Sequence, residues 1–446
     1  MKKLLYMLLG IFAIGFIACK RSTSVYQSNV AQITSFRLMG QDSFPGLAAA
    51  TFQVEDLYGV GLIRVKDSIK YGTRLTSVVP KMTFGATPSS VVFSYGTPTT
   101  YASFTGSQAI DFSQTPMQVT VTSQDGSVTK TYDIQVYAHQ INPDLVVWKQ
   151  LNPQIYTPTN TEQHLLEHGN QLKLFVGDGS KIDLYTSGDG ETWTQQATNL
   201  PATSRIKQIF AEGDSLYYLY GANIYASLDG QTWLQRTAPT GINIAAQLMT
   251  MAGKTLLVQN NADRSMALWS WKNRVFTDEH VTLDTVKFPV SGFAPVLFTR
   301  TGLRQQGLVL GGYDRHGDMV NGIWNIEYIP DYSTTDQGTF RVANFAAGRI
   351  IENIADATLL WYCNSLYKIG GIDAAGNIAD SLIYVSKDEG ISWAVADTAN
   401  IKLPTQFGKR YATSGLVREA DNSMLLVGGK NIDGSLSDVW RGRLNQ

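Results

Sequence analysis

The run His164-Leu165-Leu166-Glu167-His168 carries two imidazoles and a carboxylate at a spacing that serves zinc chemistry, provided that the run is helical. On a strand, residues four apart are separated by roughly 13 Å, too far to share one ion. The surrounding HLLEHGNQLKLFVGD reads as two apolar strands about a polar turn, so no metal is expected here. A second set of candidates lies in three polar loops: Asp314, Arg315 and His316; Asp373 and Asn377; Lys430 and Asn431. Turn chemistry accounts for the Asn and Asp residues, whereas Arg315, His316 and Lys430 exceed what a turn requires. Arg410 and Tyr411 enter from a neighbouring loop, and together these nine residues are the expected surface for a polar ligand. No catalytic residue and no cofactor can be placed, because no paired carboxylates or nucleophile–base set are identifiable.

The elements that must hold these loops recur. The segments HLLEHGNQLKLFVGD, QIFAEGDSLYYLYGA, QLMTMAGKTLLVQNN, PVLFTRTGLRQQGLVLGGYD, TLLWYCNSLYKIGGID and SGLVREADNSMLLVGGKN each read as strand, tight turn, strand. Their second-strand leucines, Leu172, Leu216, Leu256, Leu308, Leu366 and Leu425, are 44, 40, 52, 58 and 59 residues apart. Such periods belong to four-stranded blades of a β-propeller spanning residues 145–446. The last copy has only three strands before the chain ends, and Val146-Val147-Trp148-Lys149-Gln150 stands unpartnered before the first. Strand 145–150 is therefore expected to complete the sixth blade, since an open edge would expose unpaired backbone groups. Six blades are predicted, seven being the alternative.

Three turns share a pattern: Ser187 to Trp193, Ser227 to Trp233 and Ser386 to Trp393. They resemble the Asp-box of sialidase-type propellers, which implies structural roles for Asp189, Trp193, Asp229, Trp233, Asp388 and Trp393. Gly311-Gly312, Gly370-Gly371 and Gly428-Gly429, with Trp324 and Trp440, are similar to kelch repeats. A sialidase would also need an arginine triad and a Phe/Tyr-Arg-Ile-Pro segment. The nearest string, Ser204-Arg205-Ile206-Lys207, lacks the proline, and Arg205, Arg349 and Arg410 are isolated. In that resemblance the Asp-boxes lie away from the functional face, so the ligand is expected on the opposite one.

Residues 30–140 alternate with period two, clearest in MQVTVTSQDGSVTKTYDIQVY, where Val119, Val121, Val128, Tyr132, Ile134 and Val136 alternate with polar neighbours around Asp125-Gly126. Candidate strands at Thr34–Met39, Ala48–Val54, Leu62–Val65 and Val91–Tyr95 bring the total to about seven in roughly 110 residues, as in an Ig-like β-sandwich. The segments DSIKYGTRLTSVVPKMTF and VTVTSQDGSVTKTYDIQV resemble Ig-like or cadherin-like modules of Bacteroidetes surface lipoproteins, and the domain order is similar to that of a family of such lipoproteins.

Residues 1–19 combine Lys2 and Lys3 with an apolar run, and Phe16-Ile17-Ala18-Cys19 resembles a lipobox. Cys19 is thus the expected lipidation site, with 20–29 as a tether. The only other cysteine, Cys363, sits among apolar residues and is expected to be a buried hydrophobe. A net charge of −1 argues against nucleic acid as a partner. The sequence-level expectation is an all-β, membrane-anchored envelope protein, an outer-membrane lipoprotein that binds a glycan or an envelope protein. A glycan-degrading enzyme and a structural subunit of an outer-membrane complex are the alternatives.

Overall fold

The computed structural model describes residues 27–41, 45–56, 58–159, 162–299, 305–331, 338–345 and 354–445. Cys19, most of the tether and Arg349 lie outside them. The described residues form strands and three short 3-10 turns, with no α-helix among them. The chain divides into an N-terminal unit, Met1–Pro143, and a C-terminal unit, Asp144–Gln446.

In the N-terminal unit a six-stranded sheet runs in the order Phe52–Glu55, Gly61–Val65, Thr129–Gln135, Met117–Thr122, Ser90–Tyr95, Thr100–Ser103. All neighbours are antiparallel except Gly61–Val65 beside Thr129–Gln135, which are parallel. A second sheet pairs Ile33–Leu38 with Pro80–Phe84. Ile33, Phe36 and Leu38 of the small sheet share one core with Ile63, Phe93, Val119, Val121 and Tyr132 of the large one. The buried Tyr132 hydroxyl accepts the Ile33 N–H at 3.1 Å, tying the two sheets by a satisfied polar group. Two expectations need correction. The segment 48–54 is not one strand, because Pro45 opens a 3-10 turn, Pro45–Ala49, and pairing starts only at Phe52. Val128 falls in the Asp125-Gly126 turn and is exposed rather than on the core face.

Among the described residues of the C-terminal unit there are six four-stranded antiparallel sheets. The first is Glu162–His168, Gln171–Gly177, Ile182–Ser187 and Thr194–Ala197; the second is Ile209–Glu212, Ser215–Tyr220, Asn223–Ser227 and Leu234–Arg236. The third is Ile244–Met251, Lys254–Asn260, Met266–Lys272 and Val275–Leu283; the fourth is Ala294–Thr299, Gln305–Leu310, Ile323–Pro330 and Gly338–Phe345. The fifth is Thr358–Tyr362, Ser365–Ile369, Ile383–Ser386 and Ala394–Val395. The sixth joins Ser414–Arg418, Ser423–Asn431 and Gly434–Leu444 to Val146–Asn152, with Gly442 opposite Trp148 and Trp440 opposite Gln150. Inner strands of neighbouring sheets touch in cyclic order, the first sheet also meeting the sixth. Each second strand is therefore covered on both faces, which is why its pattern is continuously apolar and why all six marker leucines are fully buried.

The double glycines explain how the later sheets approach so closely. Gly311, Gly312, Gly370 and Gly371 all have positive φ, and the N–H groups of Gly312 and Gly371 donate to Ile354 O (3.0 Å) and Arg410 O (3.2 Å) at the entrance of the next sheet. A Cβ on Gly370 would fall inside contact distance of Arg410 O, whereas one on Gly376, also at positive φ, would meet nothing. Gly376→Ala is expected to cost about 1 kcal/mol for its backbone alone, and Gly370→Ala about 3 kcal/mol or more, because backbone atoms must also move. Urea denaturation of the two variants, followed by tryptophan fluorescence, checks the contrast.

Cys363 is exposed, not buried. It and Asn364 form the two-residue turn between Thr358–Tyr362 and Ser365–Ile369, both with positive φ (45° and 58°), so the side chain leaves the apolar strands on either side of it.

Candidate functional site

Three turns between third and fourth strands share one geometry. In the first sheet Asp189 Oδ1 accepts the N–H groups of Glu191 (2.8 Å) and Thr192 (2.9 Å), Gly190 N–H donates to Ser187 Oγ (2.8 Å), and Trp193 Nε1–H donates to Gly190 O (2.9 Å). Asp229 and Trp233 repeat this in the second sheet, and Asp388 and Trp393 in the fifth, where the additional Glu389 is accommodated at φ 62°. The tryptophans sit between sheets: Trp233 packs edge-on against Phe175 of the first sheet. The polar groups of these three turns are consumed in building the turns themselves.

At the opposite end, where the first strand of each sheet begins, a cavity of about 670 Å³ opens into the ring. Lys207, on the turn Ile206–Gln208 before the second sheet, extends to Asp356, which precedes the fifth, with Nζ and Oδ1 2.9 Å apart. The second and fifth sheets are three places apart in either direction, so this ion pair spans the ring. Glu162, opening the first sheet, accepts the Ile206 N–H on Oε2 at 3.0 Å. Burial raises the Glu162 pKa against the pull of Lys207. Burial also opposes the charge on Lys207, but Asp356 and Glu162 overcome it and hold the ammonium pKa above its usual value. Arg205 lies over the Tyr220 ring at 4.8 Å, and Tyr313, Tyr411 and Lys430 complete the wall.

His164 also lines the cavity, with Nε2–H donating to Ile209 O at 2.9 Å, and burial pushes its pKa down to about 4. His168 instead bonds Gly213 O at 3.2 Å, so the two imidazoles face separate carbonyls of the second sheet. Among the described residues no cluster of three or more His, Cys, Asp or Glu could hold a metal. A histidine held neutral in the fold takes up its proton more readily when unfolded. Its contribution is therefore complete above the unfolded pKa of 6.5 and is lost as pH falls towards 4. Between pH 7 and 4, His164→Gln is expected to remove roughly 3 kcal/mol of acid destabilisation, read as a flatter dependence of the urea midpoint on pH.

The loop residues expected to bind fall into two groups. Tyr411 and Lys430 line the cavity, and their backbones pair with each other at 2.9 and 2.8 Å. The others serve their own loops. Asp314 is buried and caps the N–H groups of His316 and Asp318; Asp373 accepts from Ala375 and Asn377; Asn431 accepts from Asp433 and Gly434. Arg315 is exposed and donates to Arg264 O (2.6 Å), and His316 is exposed. Arg410 does not face a ligand: it is buried in a bidentate pair with Asp438, at 2.7 and 3.1 Å, and stacks on Phe407 at 3.7 Å. Sequence reasoning missed Glu162, Lys207, Tyr313 and Asp356. The shared signal of Glu162, Lys207 and Asp356 is position, since each lies where the chain enters the first strand of a sheet from this end, whereas Tyr313 lies in the loop after Gln305–Leu310.

The fold of the C-terminal unit is that of a β-propeller. The chain belongs to the DUF6242 family: residues 142–446 match the DUF6242 beta propeller domain and residues 32–136 the DUF6242 N-terminal domain, a domain of unknown function. No curated protein matches the chain. The solved structure of YjhT is similar at 12% identity and a TM-score of 0.47, over 65% of this chain and 96% of that one.

Proposed function

We propose that this is a lipid-anchored envelope protein whose propeller recognises a glycan through the cavity at the strand-entry end. The observation that carries this reading is the cavity itself: a concave, tyrosine-bearing wall with Lys207, Asp356 and Glu162 converging from three sheets. A concave site of this size suits the end of a saccharide better than the flat face of a protein. The finer architecture belongs to the same reading: a six-bladed ring, supported by the cyclic contacts and the Val146–Asn152 pairing, with Asp-box turns at one end and kelch-like double glycines at the other. The N-terminal unit is taken as an Ig-like sandwich spacer on the strength of its two sheets sharing one core. Anchoring rests on the sequence around Cys19, and Cys19→Ala is expected to move the protein from the membrane to the soluble fraction.

Binding of the full chain to immobilised glycans tests the site. Tyr313→Ala and Tyr411→Ala should each weaken a recovered ligand about tenfold, and unchanged binding in both would reject the cavity. A second reading, glycan hydrolysis, is favoured by one observation: the Glu162 carboxyl is pushed towards its protonated form beside the Asp356 carboxylate. Release of reducing ends from the bound glycan, abolished by Glu162→Gln, would replace binding by turnover.

A further inference from the structure

We infer that the cavity takes a charge-neutral saccharide, and that the Lys207–Asp356 pair reads its hydroxyl groups. This rests on the glycan reading above and narrows it.

Among the described residues the cavity's ionisable wall comprises Glu162, Glu167 and Asp356 against Arg205, Lys207 and Lys430, with His164 neutral, so acids and bases cancel. A pocket selecting a uronate or another acidic sugar would carry uncompensated positive charge, and one selecting an amine the reverse. What remains suits hydroxyl groups, which both donate and accept.

Among the described residues Asp356 accepts through Oδ1 and Glu162 through Oε2, and no hydrogen bond occupies the other oxygen of either carboxylate. Lys207 has three N–H bonds and uses one of them on Asp356. Spare acceptors thus lie beside spare donors on a pair that is already formed and neutral overall, the arrangement that vicinal hydroxyls can bridge without displacing a charge.

Gly292, Asp356 and Ala412 hold equivalent positions, two residues before the fourth, fifth and sixth sheets, at φ 61°, 51° and 54°. Asp356 N–H donates to Gly292 O at 2.6 Å and Ala412 N–H to Asp356 O at 2.7 Å, so the three form a main-chain relay along the mouth. The relay needs no side chain, and glycine is the residue that meets its φ without strain. The relay occupies only the Asp356 main chain and leaves its carboxylate to reach across the ring to Lys207.

The test is isothermal titration of the full chain with neutral gluco-, galacto- and manno-oligosaccharides and with uronate- and sialate-terminated counterparts. A neutral ligand is expected, its affinity changing less than about threefold between about 50 and 500 mM NaCl, because no net charge is screened. Asp356→Asn, which tolerates the left-handed backbone, and Lys207→Gln should each weaken it about tenfold while the melting temperature is kept. Preferential binding of an acidic oligosaccharide with steep salt dependence overturns the neutral-ligand inference and leaves the glycan reading standing. Neutral binding untouched by either variant overturns the role of the pair, and silence from both panels overturns the glycan reading with it.

Discussion

Replacing Arg410 by alanine is expected to destabilise the C-terminal unit by about 3–5 kcal/mol, the cost of leaving one partner of a buried ion pair uncompensated. The guanidinium is 2% exposed and the Asp438 side chain 11%. Besides its two bonds to Asp438, Arg410 donates to Gly428 O (3.1 Å) and Phe407 O, and Asp438 Oδ2 also accepts Trp440 Nε1–H at 2.6 Å. Removing the arginine therefore leaves the Asp438 carboxylate, which also anchors Trp440, without its counter-ion and takes a donor from two carbonyls. Arg410→Lys should recover only part of the loss, because an ammonium cannot reproduce the fork that spans both carboxylate oxygens. All nine tryptophans lie between Trp148 and Trp440, so a urea titration followed by tryptophan fluorescence reports the C-terminal unit alone. Arg315→Ala, at an exposed loop, should stay within about 0.5 kcal/mol of the parent protein and serves as the control. Equal midpoints for the two alanine variants would remove the structural role assigned here to Arg410.

The contrast between these two arginines shows where sequence reasoning loses its hold. Both lie in polar loops at the same end of the strands, and residue type alone cannot separate them. What separates them is Asp438, placed 28 residues beyond Arg410 on the strand Gly434–Leu444, which pairs with Ser423–Asn431 across an irregularity at Gly428. Repeats were legible because their information is local: an apolar pair of strands around a tight turn, with a leucine that every neighbour covers. The three tryptophan turns were legible for the same reason, since the aspartate carboxylate and the tryptophan indole N–H find their partners within one heptad or octad. The cavity was not, because Glu162, Lys207 and Asp356 come from three sheets and meet only when the ring closes. Cys363 failed differently. Apolar flanks suggested burial, but a two-residue turn at positive φ put it outside the sheet.

Ring closure is also where the other large effect is expected. Replacing residues 146–152 by a Gly/Ser stretch of equal length keeps the link between the units while removing the outer strand of the sixth sheet. Val146 is buried beside Tyr362, Phe407 and Trp440, and Trp148 packs against the same cluster, its ring over Gly442, where any Cβ would collide with it. Losing the apolar contacts of Val146 and Trp148, at about 1.5–3 kcal/mol each, and several ladder bonds at about 1 kcal/mol each, amounts to at least about 5 kcal/mol. The exposed edge of Gly434–Leu444 would then be a template for a replacement strand. A synthetic peptide of residues 144–153, added in trans, is accordingly expected to restore the native fluorescence and resistance to proteolysis, whereas one with proline at Trp148 and Gln150 is not. If the Gly/Ser variant unfolds at the same urea concentration as the parent, the seam carries no weight. The cavity would then owe its shape to the inner strands alone, and Asp356 would find Lys207 without the closing strand's help.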